Sequence, residues 1–265
     1  MERTRDEIRK ELIGIIRQNS APLSRLPTDE PTVIIPDCNI QAIIFDIYGT
    51  LFISGSGDIG TIKDRLRNDA FLRTFEREGI TLTGSNVGSR CSVLYEELIR
   101  KEHLRLKRNG IENPEIDIFE IWQELLNTLD REQLISNAVS SEGVMRIALM
   151  FETQINPVWP MSGCRELLEQ LHEHNFILGI ISNAQFFTPY LFSYKERESK
   201  PSLSLFKKCL KRLHEIYGFN PDQVLYVGND MLNDIYPAKR LGFKTVLFAG
   251  DRRSLRLRKQ ELNDP

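Results

Sequence analysis

The chain is short of several things, and each shortage narrows what it can be. No apolar run in its 265 residues exceeds about six, far below the ~20 that a membrane-spanning helix needs. The opening Met-Glu-Arg-Thr-Arg-Asp-Glu has no apolar stretch followed by small residues, so no secretory leader is expected. An excess of one charge is lacking too. The 35 Lys and Arg stand against 37 Asp and Glu, a net of −2, which implies no general attraction to nucleic acid or membrane. Cysteines number four (Cys38, Cys91, Cys164 and Cys209) and form no CxxC pair. They are expected as reduced, mostly buried thiols of a cytoplasmic protein, and no zinc site is expected. Internal repeats and low-complexity tracts are also missing.

What remains is an ordinary globular mixture, 41% hydrophobic and 27% charged, which excludes wholesale disorder. The length suits one large domain or two modest ones. Ile8, Leu12, Ile15 and Ile16 recur at helical spacing near the start and predict an amphipathic helix that docks on the main body. A Pro-rich stretch follows it. Four short apolar runs come next: 42–45, 177–181, 224–227 and 245–248. Each is continuous rather than alternating, as in strands buried on both faces of a parallel sheet. Helical stripes separate the last three. One follows Ser162 as N-cap, a longer one runs from Leu205 to Ile216, and a short one stops at Gly242. Strands alternating with helices predict an α/β fold with a doubly wound, Rossmann-like parallel sheet.

About 130 residues separate the first run from the second, ten times what a crossover requires. Helical patterns over 61–79, 87–109, 116–129 and 141–154 fill this stretch. It reads as an inserted all-helical domain. The expected division is an N-terminal helix and linker at 1–38, a core at 39–53 and 156–265, and the helical insertion at 54–155.

In open parallel sheets, ligands bind outside the carboxyl ends of the strands. There the sequence places Asp46-Ile47-Tyr48-Gly49-Thr50, Ser182-Asn183, and Gly228-Asn229-Asp230 with Asp234. Lys200-Pro201 precedes the long helix. A buried carboxylate at a strand end can attack an electrophilic carbon or phosphorus and form an ester. A lysine keeps such a carboxylate ionised. Hydroxyls and helix N-termini hold anionic oxygens, and further carboxylates can complete an all-oxygen Mg²⁺ site.

These segments, in this order, resemble the four motifs of the haloacid dehalogenase-like hydrolase superfamily, and Phe192-Ser193-Tyr194 ahead of the lysine is similar as well. The resemblance covers about residues 41–250 and implies a helical cap over a Rossmann-like core. It implies that Asp46 is the nucleophile that becomes esterified. Ser182 and Lys200 would orient the transferred group, and Asp234 would position Lys200 or a metal-bound water. Asp46, Asp230 and the backbone carbonyl of Tyr48 would hold Mg²⁺, with Tyr48, Thr50 and Asn183 on the substrate side. The expected partner is a small anionic organic molecule; oligomeric state is left open.

Two departures divide the subclass. Family phosphatases carry a second Asp two residues after the nucleophile, as general acid and then base. Here Tyr48 stands there, and an unperturbed phenol titrates near ~10. Tyrosine suits the 2-haloacid dehalogenases, whose halide leaves without a proton. Those enzymes, however, lack a carboxylate such as Asp230, and Met231 replaces their asparagine. The register of the acidic motif is ambiguous between Asn229 and Asp230. Three readings follow: an Mg²⁺-dependent phosphatase-type hydrolase, a metal-independent dehalogenase, or a binding or regulatory protein that lost turnover. Arg252, Arg253, Arg256, Arg258 and Lys259 make a basic tail, expected as a solvated helix face.

Overall fold

The computed structural model describes residues 4–33, 39–56, 64–136, 139–185 and 193–258. Cys38, Phe192 and Lys259 lie outside them. In chain order the strands are β1 (Ala42–Phe45), β2 (Phe52–Ser54), β3 (Val158–Pro160), β4 (Ile177–Ile180), β5 (Val224–Gly228) and β6 (Lys244–Leu247). The helices are α1 (Arg5–Asn19), α2 (Asp64–Arg77), α3 (Val87–Arg108), α4 (Ile118–Arg131), α5 (Ser141–Ile155), α6 (Cys164–Glu173), α7 (Ser193–Glu196), α8 (Ser204–Tyr217) and α9 (Tyr236–Arg240).

β1 is buried at all four positions because both of its faces are covered. Successive side chains of a strand point to opposite faces. Ala42 and Ile44 pack with Leu205, Phe206, Cys209 and Leu213 of α8. Ile43 and Phe45 pack with Cys164, Leu168 and Leu171 of α6. β1 pairs in parallel with β4 on one side and β5 on the other, and β5 pairs in parallel with β6. The order is β4-β1-β5-β6, the expected parallel sheet with helices on both faces.

Helices α2 to α5 bury a cluster of their own, including Phe71, Phe75, Trp122, Leu125, Leu129, Ile147 and Phe151. Phe71 and Trp122 lie 4.4 Å and 5.1 Å from Phe151 between ring centroids, within the range of favourable aromatic pairing. Local signals set their starts. Asp117 accepts from the Phe119 N–H, and Ser140 from the Gly143 N–H, both as N-caps. α1 begins with a Thr4–Glu7 capping box and packs along α5.

Three elements differ from expectation. α6 starts after Gly163 (φ +76°), which takes the N-cap position in place of Ser162 and offers no side-chain cap. β2 and β3 pair antiparallel, Ile53 opposite Trp159, where the chain leaves and re-enters around the helices. At three residues each, they were too short to show a period. The basic tail is not a helix: residues 251–258 turn back over the end of β5, where Asp230 and Arg256 form a bridge.

Candidate active site

Asp46 follows β1 directly, and its N–H donates to the Val227 carbonyl of β5 at 2.9 Å. That bond carries the sheet ladder one residue further and aims the side chain over the sheet edge. Asp46 is 5% exposed. Its Oδ1 accepts from Ser182 Oγ at 2.9 Å and from Lys200 Nζ at 2.7 Å. Its Oδ2 accepts no hydrogen bond among the described residues. One oxygen is therefore anchored, and the other is available to a ligand.

Lys200 also reaches Asp234 Oδ1 at 2.5 Å. Burial pulls the ammonium's pKa down, and Asp234 and Asp46 more than reverse this, so Lys200 stays charged. Burial pushes Asp234 up to about 6, while Lys200 pulls the other way. Asp234 is 1% exposed and is saturated. Oδ1 also accepts from Tyr226 OH at 3.1 Å, and Oδ2 from the N–H groups of Asn229 and Asp230 at 3.1 and 3.0 Å. Gly228 makes room for it, since a Cβ there would lie 2.5 Å from Asp234 Cβ.

Asn183 accepts the Lys200 N–H at Oδ1, 2.8 Å. Thr50 does not line the cavity. Its hydroxyl donates to Asn229 Oδ1 at 3.0 Å, and Asn229 Nδ2 donates to the Ser254 carbonyl at 2.6 Å. Asn229 thus ties the loop after β1 to the returning tail. Gly49 (φ +90°) allows that approach, as a Cβ would meet Asn229 Nδ2 at 2.6 Å.

Asp230 caps the π-helical turn Met231–Ile235. Its Oδ1 accepts from the N–H groups of Leu232 and Asn233 at 2.9 and 3.2 Å and from Arg258 Nε at 3.2 Å. Its Oδ2 accepts from Asn233 Nδ2 at 2.9 Å and Arg258 Nη2 at 2.8 Å. Burial opposes its ionisation, and Arg258 and the capping bonds hold its pKa below the usual carboxylate range.

A cavity of about 150 Å³ opens among these groups. Asp46, Tyr48, Ser182, Asn183, Lys200, Asp230 and Asp234 all line it. Sequence reasoning did not single out Tyr226, Ser54, Asn156, Arg256 or Arg258 for the site. Tyr226 carried a signal, a hydroxyl in an apolar strand. Arg256 and Arg258 carried only the basic run, whose expected place in water is corrected here: they line the cavity. Ser54 and Asn156 meet at 2.8 Å across the β2–β3 ribbon and carried none. Arg90 is bonded to Glu132 through Nε at 3.0 Å and lies away from the cavity.

A family model described as haloacid dehalogenase-like hydrolase matches residues 40–242. The chain is 31% identical over 101 residues to the glyceraldehyde 3-phosphate phosphatase of Pyrococcus furiosus, covering 32% of this chain and 40% of that one. It is 35% identical over 103 residues to the protein of that name from Pyrococcus abyssi, covering 32% and 41%. The chain thus spans about two fifths of the length of these curated relatives. In structure it is similar to a 2-haloacid dehalogenase from Pseudomonas syringae pv. Tomato, with TM-score 0.50, 18% identity, and coverage of 79% of this chain and 86% of that one. This last likeness concerns the fold alone.

Proposed function

The chain belongs to the haloacid dehalogenase-like hydrolase family, and on that premise we propose that it cleaves a small phosphorylated organic molecule through an ester formed on Asp46. The observation that carries the reading is the asymmetry of the Asp46 carboxylate, which lines the cavity: Oδ1 bound by Ser182 and Lys200, Oδ2 without a hydrogen bond among the described residues. Attack by Oδ2 on phosphorus forms the Asp46–phosphate bond and releases the alcohol oxygen, which takes up a proton. Water then attacks the phosphorus and frees phosphate and Asp46. Lys200 spreads its charge over Asp46 and Asp234 and fixes the orientation of the nucleophile. Tyr48 stands at the cavity where acid–base help would come from, and a phenol gives little of it near neutral pH. The cavity volume suits a substrate of a few carbons, well below the ~300 Å³ of drug-sized pockets. The phosphatase relatives favour a phosphate ester as the substrate class.

In this reading residues 54–155 act as a cap, 39–53 and 156–265 as the core, and 1–38 as an added helix and linker. The separate cluster of α2 to α5 and the β2–β3 ribbon at their junction support that division.

The expected Mg²⁺ site does not fit the residues as they are arranged. An ionised carboxylate has about four lone-pair sites, and Asp230 meets five donors. Asp234 meets four. Among these three carboxylates, Asp46 Oδ2 alone is left for a cation. This commitment of Asp230, with Tyr48 in place of a second Asp, favours a second reading: displacement of halide from a 2-haloacid, whose leaving group needs no proton.

One assay separates the two. Phosphate release is measured from short phosphorylated acids, aldehydes and p-nitrophenyl phosphate, and chloride release from 2-chloropropionate, each with Asp46→Asn as control. Phosphate release that vanishes in Asp46→Asn supports the first reading, and chloride release that does so supports the second. Turnover of neither class, or turnover that survives in Asp46→Asn, refutes both.

A further inference from the structure

We propose that Arg258 is a built-in cation of this site, which holds Asp230 where a divalent metal would need it and so lowers the site's affinity for Mg²⁺. The inference rests on the hydrolase reading for the purpose this cation serves, and not for the ion pair itself.

The guanidinium reaches Asp230 by a built route. The tail is anchored at its base by the N-terminal linker: the Arg252 N–H donates to the Leu26 carbonyl at 2.9 Å, and Thr28 Oγ1 to the Ala249 carbonyl at 2.6 Å. Asp251, 1% exposed, accepts from the N–H groups of Leu26 and Arg253 at 3.3 and 3.1 Å. The tail is then clamped on both sides of Asp230. The Arg256 N–H donates to the Asn229 carbonyl at 3.0 Å, and the Met231 N–H to the Arg256 carbonyl at 2.9 Å. Arg258 lies two residues beyond this clamp and closes on Asp230 through two nitrogens, one to each oxygen. Such a two-point fork suits arginine and not lysine.

The charge balance gives the contact a purpose. Asp46, Asp230 and Asp234 all line the cavity, and Lys200 is shared by Asp46 and Asp234. Without Arg258, Asp230 would keep its capping bonds and carry an uncompensated charge in the cavity where the nucleophile must meet an anionic substrate. A bound divalent metal is one remedy for such repulsion. Arg258 is another, fixed to the chain. Mg²⁺ prefers one or two carboxylates in near-octahedral geometry, so it can take Asp230 only by displacing the guanidinium.

Isothermal titration with MgCl₂ tests this without reference to turnover. Wild type, Arg258→Met and Arg258→Lys are compared, each checked for folding by thermal melting. Arg258→Met is expected to bind Mg²⁺ at least tenfold more tightly than wild type. Arg258→Lys, with one point charge in place of the fork, should gain at least threefold, and it carries the test if Arg258→Met does not fold. Equal affinity in wild type and variants overturns the proposal, and so does a folded Arg258→Met that takes up no Mg²⁺. Absence of turnover in the phosphate and chloride assays would sink the hydrolase reading and leave these titrations unaffected.

Discussion

Lys200 Nζ lies 2.7 Å from Asp46 Oδ1, a buried contact between residues 154 positions apart in the chain. It joins the loop before α8 to the end of β1, and Asp234 shares the same ammonium. Removing one member of a buried ionic group leaves the others uncompensated, at a cost of about 3–5 kcal/mol. Lys200→Met should therefore lower the urea midpoint by that equivalent. It should also raise the pKa of Asp234, because the cation that favours its ionised form is gone. An unfolding curve superimposable on wild type would show that the pair contributes nothing.

Tyr48 sets a second expectation. If acid–base help limits phosphate ester cleavage, Tyr48→Asp should raise kcat on p-nitrophenyl phosphate by about 10²-fold, the lower end of what positioned proton transfer contributes. Its pH–rate profile should gain an acidic limb. Unchanged kcat would place the slow step elsewhere.

Metal removal gives a third. With Arg258 on Asp230, EDTA should leave wild-type turnover within about twofold, since the proposed steps call on no free divalent cation. Loss of turnover on chelation and its return with Mg²⁺ would contradict the role given to Arg258.

A fourth concerns stability. Burial raises Glu152 of α5 from 4.5 to about 7, against a smaller downward pull from Asn156. The folded state then holds this proton more tightly than the unfolded chain. The resulting stabilisation is whole below about pH 4.5 and is lost as pH rises through about 7. Glu152→Gln keeps the shape without the charge. Its unfolding free energy should match wild type near about pH 3.5 and exceed it at pH 8 by up to about 3 kcal/mol. Parallel curves over that range would refute the assignment.

Residues 42–45 and 224–227 were legible as strands because covered sheets demand unbroken apolar runs, and α2 to α5 because their stripes are long. The ends moved by a few residues, since caps such as Gly163 answer to backbone conformation and not to residue type alone. Tyr226 was read as part of an apolar run, and its hydroxyl turned out to bind Asp234 and the Ile181 carbonyl at 3.1 and 2.9 Å.

Composition and periodicity by themselves determined a layered α/β chain, a helical insertion after the first strand, and polar residues at the carboxyl ends of the strands. Local chemistry suffices for this, because period and burial are properties of neighbouring residues. Folding decided which oxygen of Asp46 is open, which donors saturate Asp230, and that Arg258 returns from the far end of the chain to meet it. A side chain's partners depend on where distant backbone crosses, and a charge run in the sequence looks the same whether it ends in water or in a cavity.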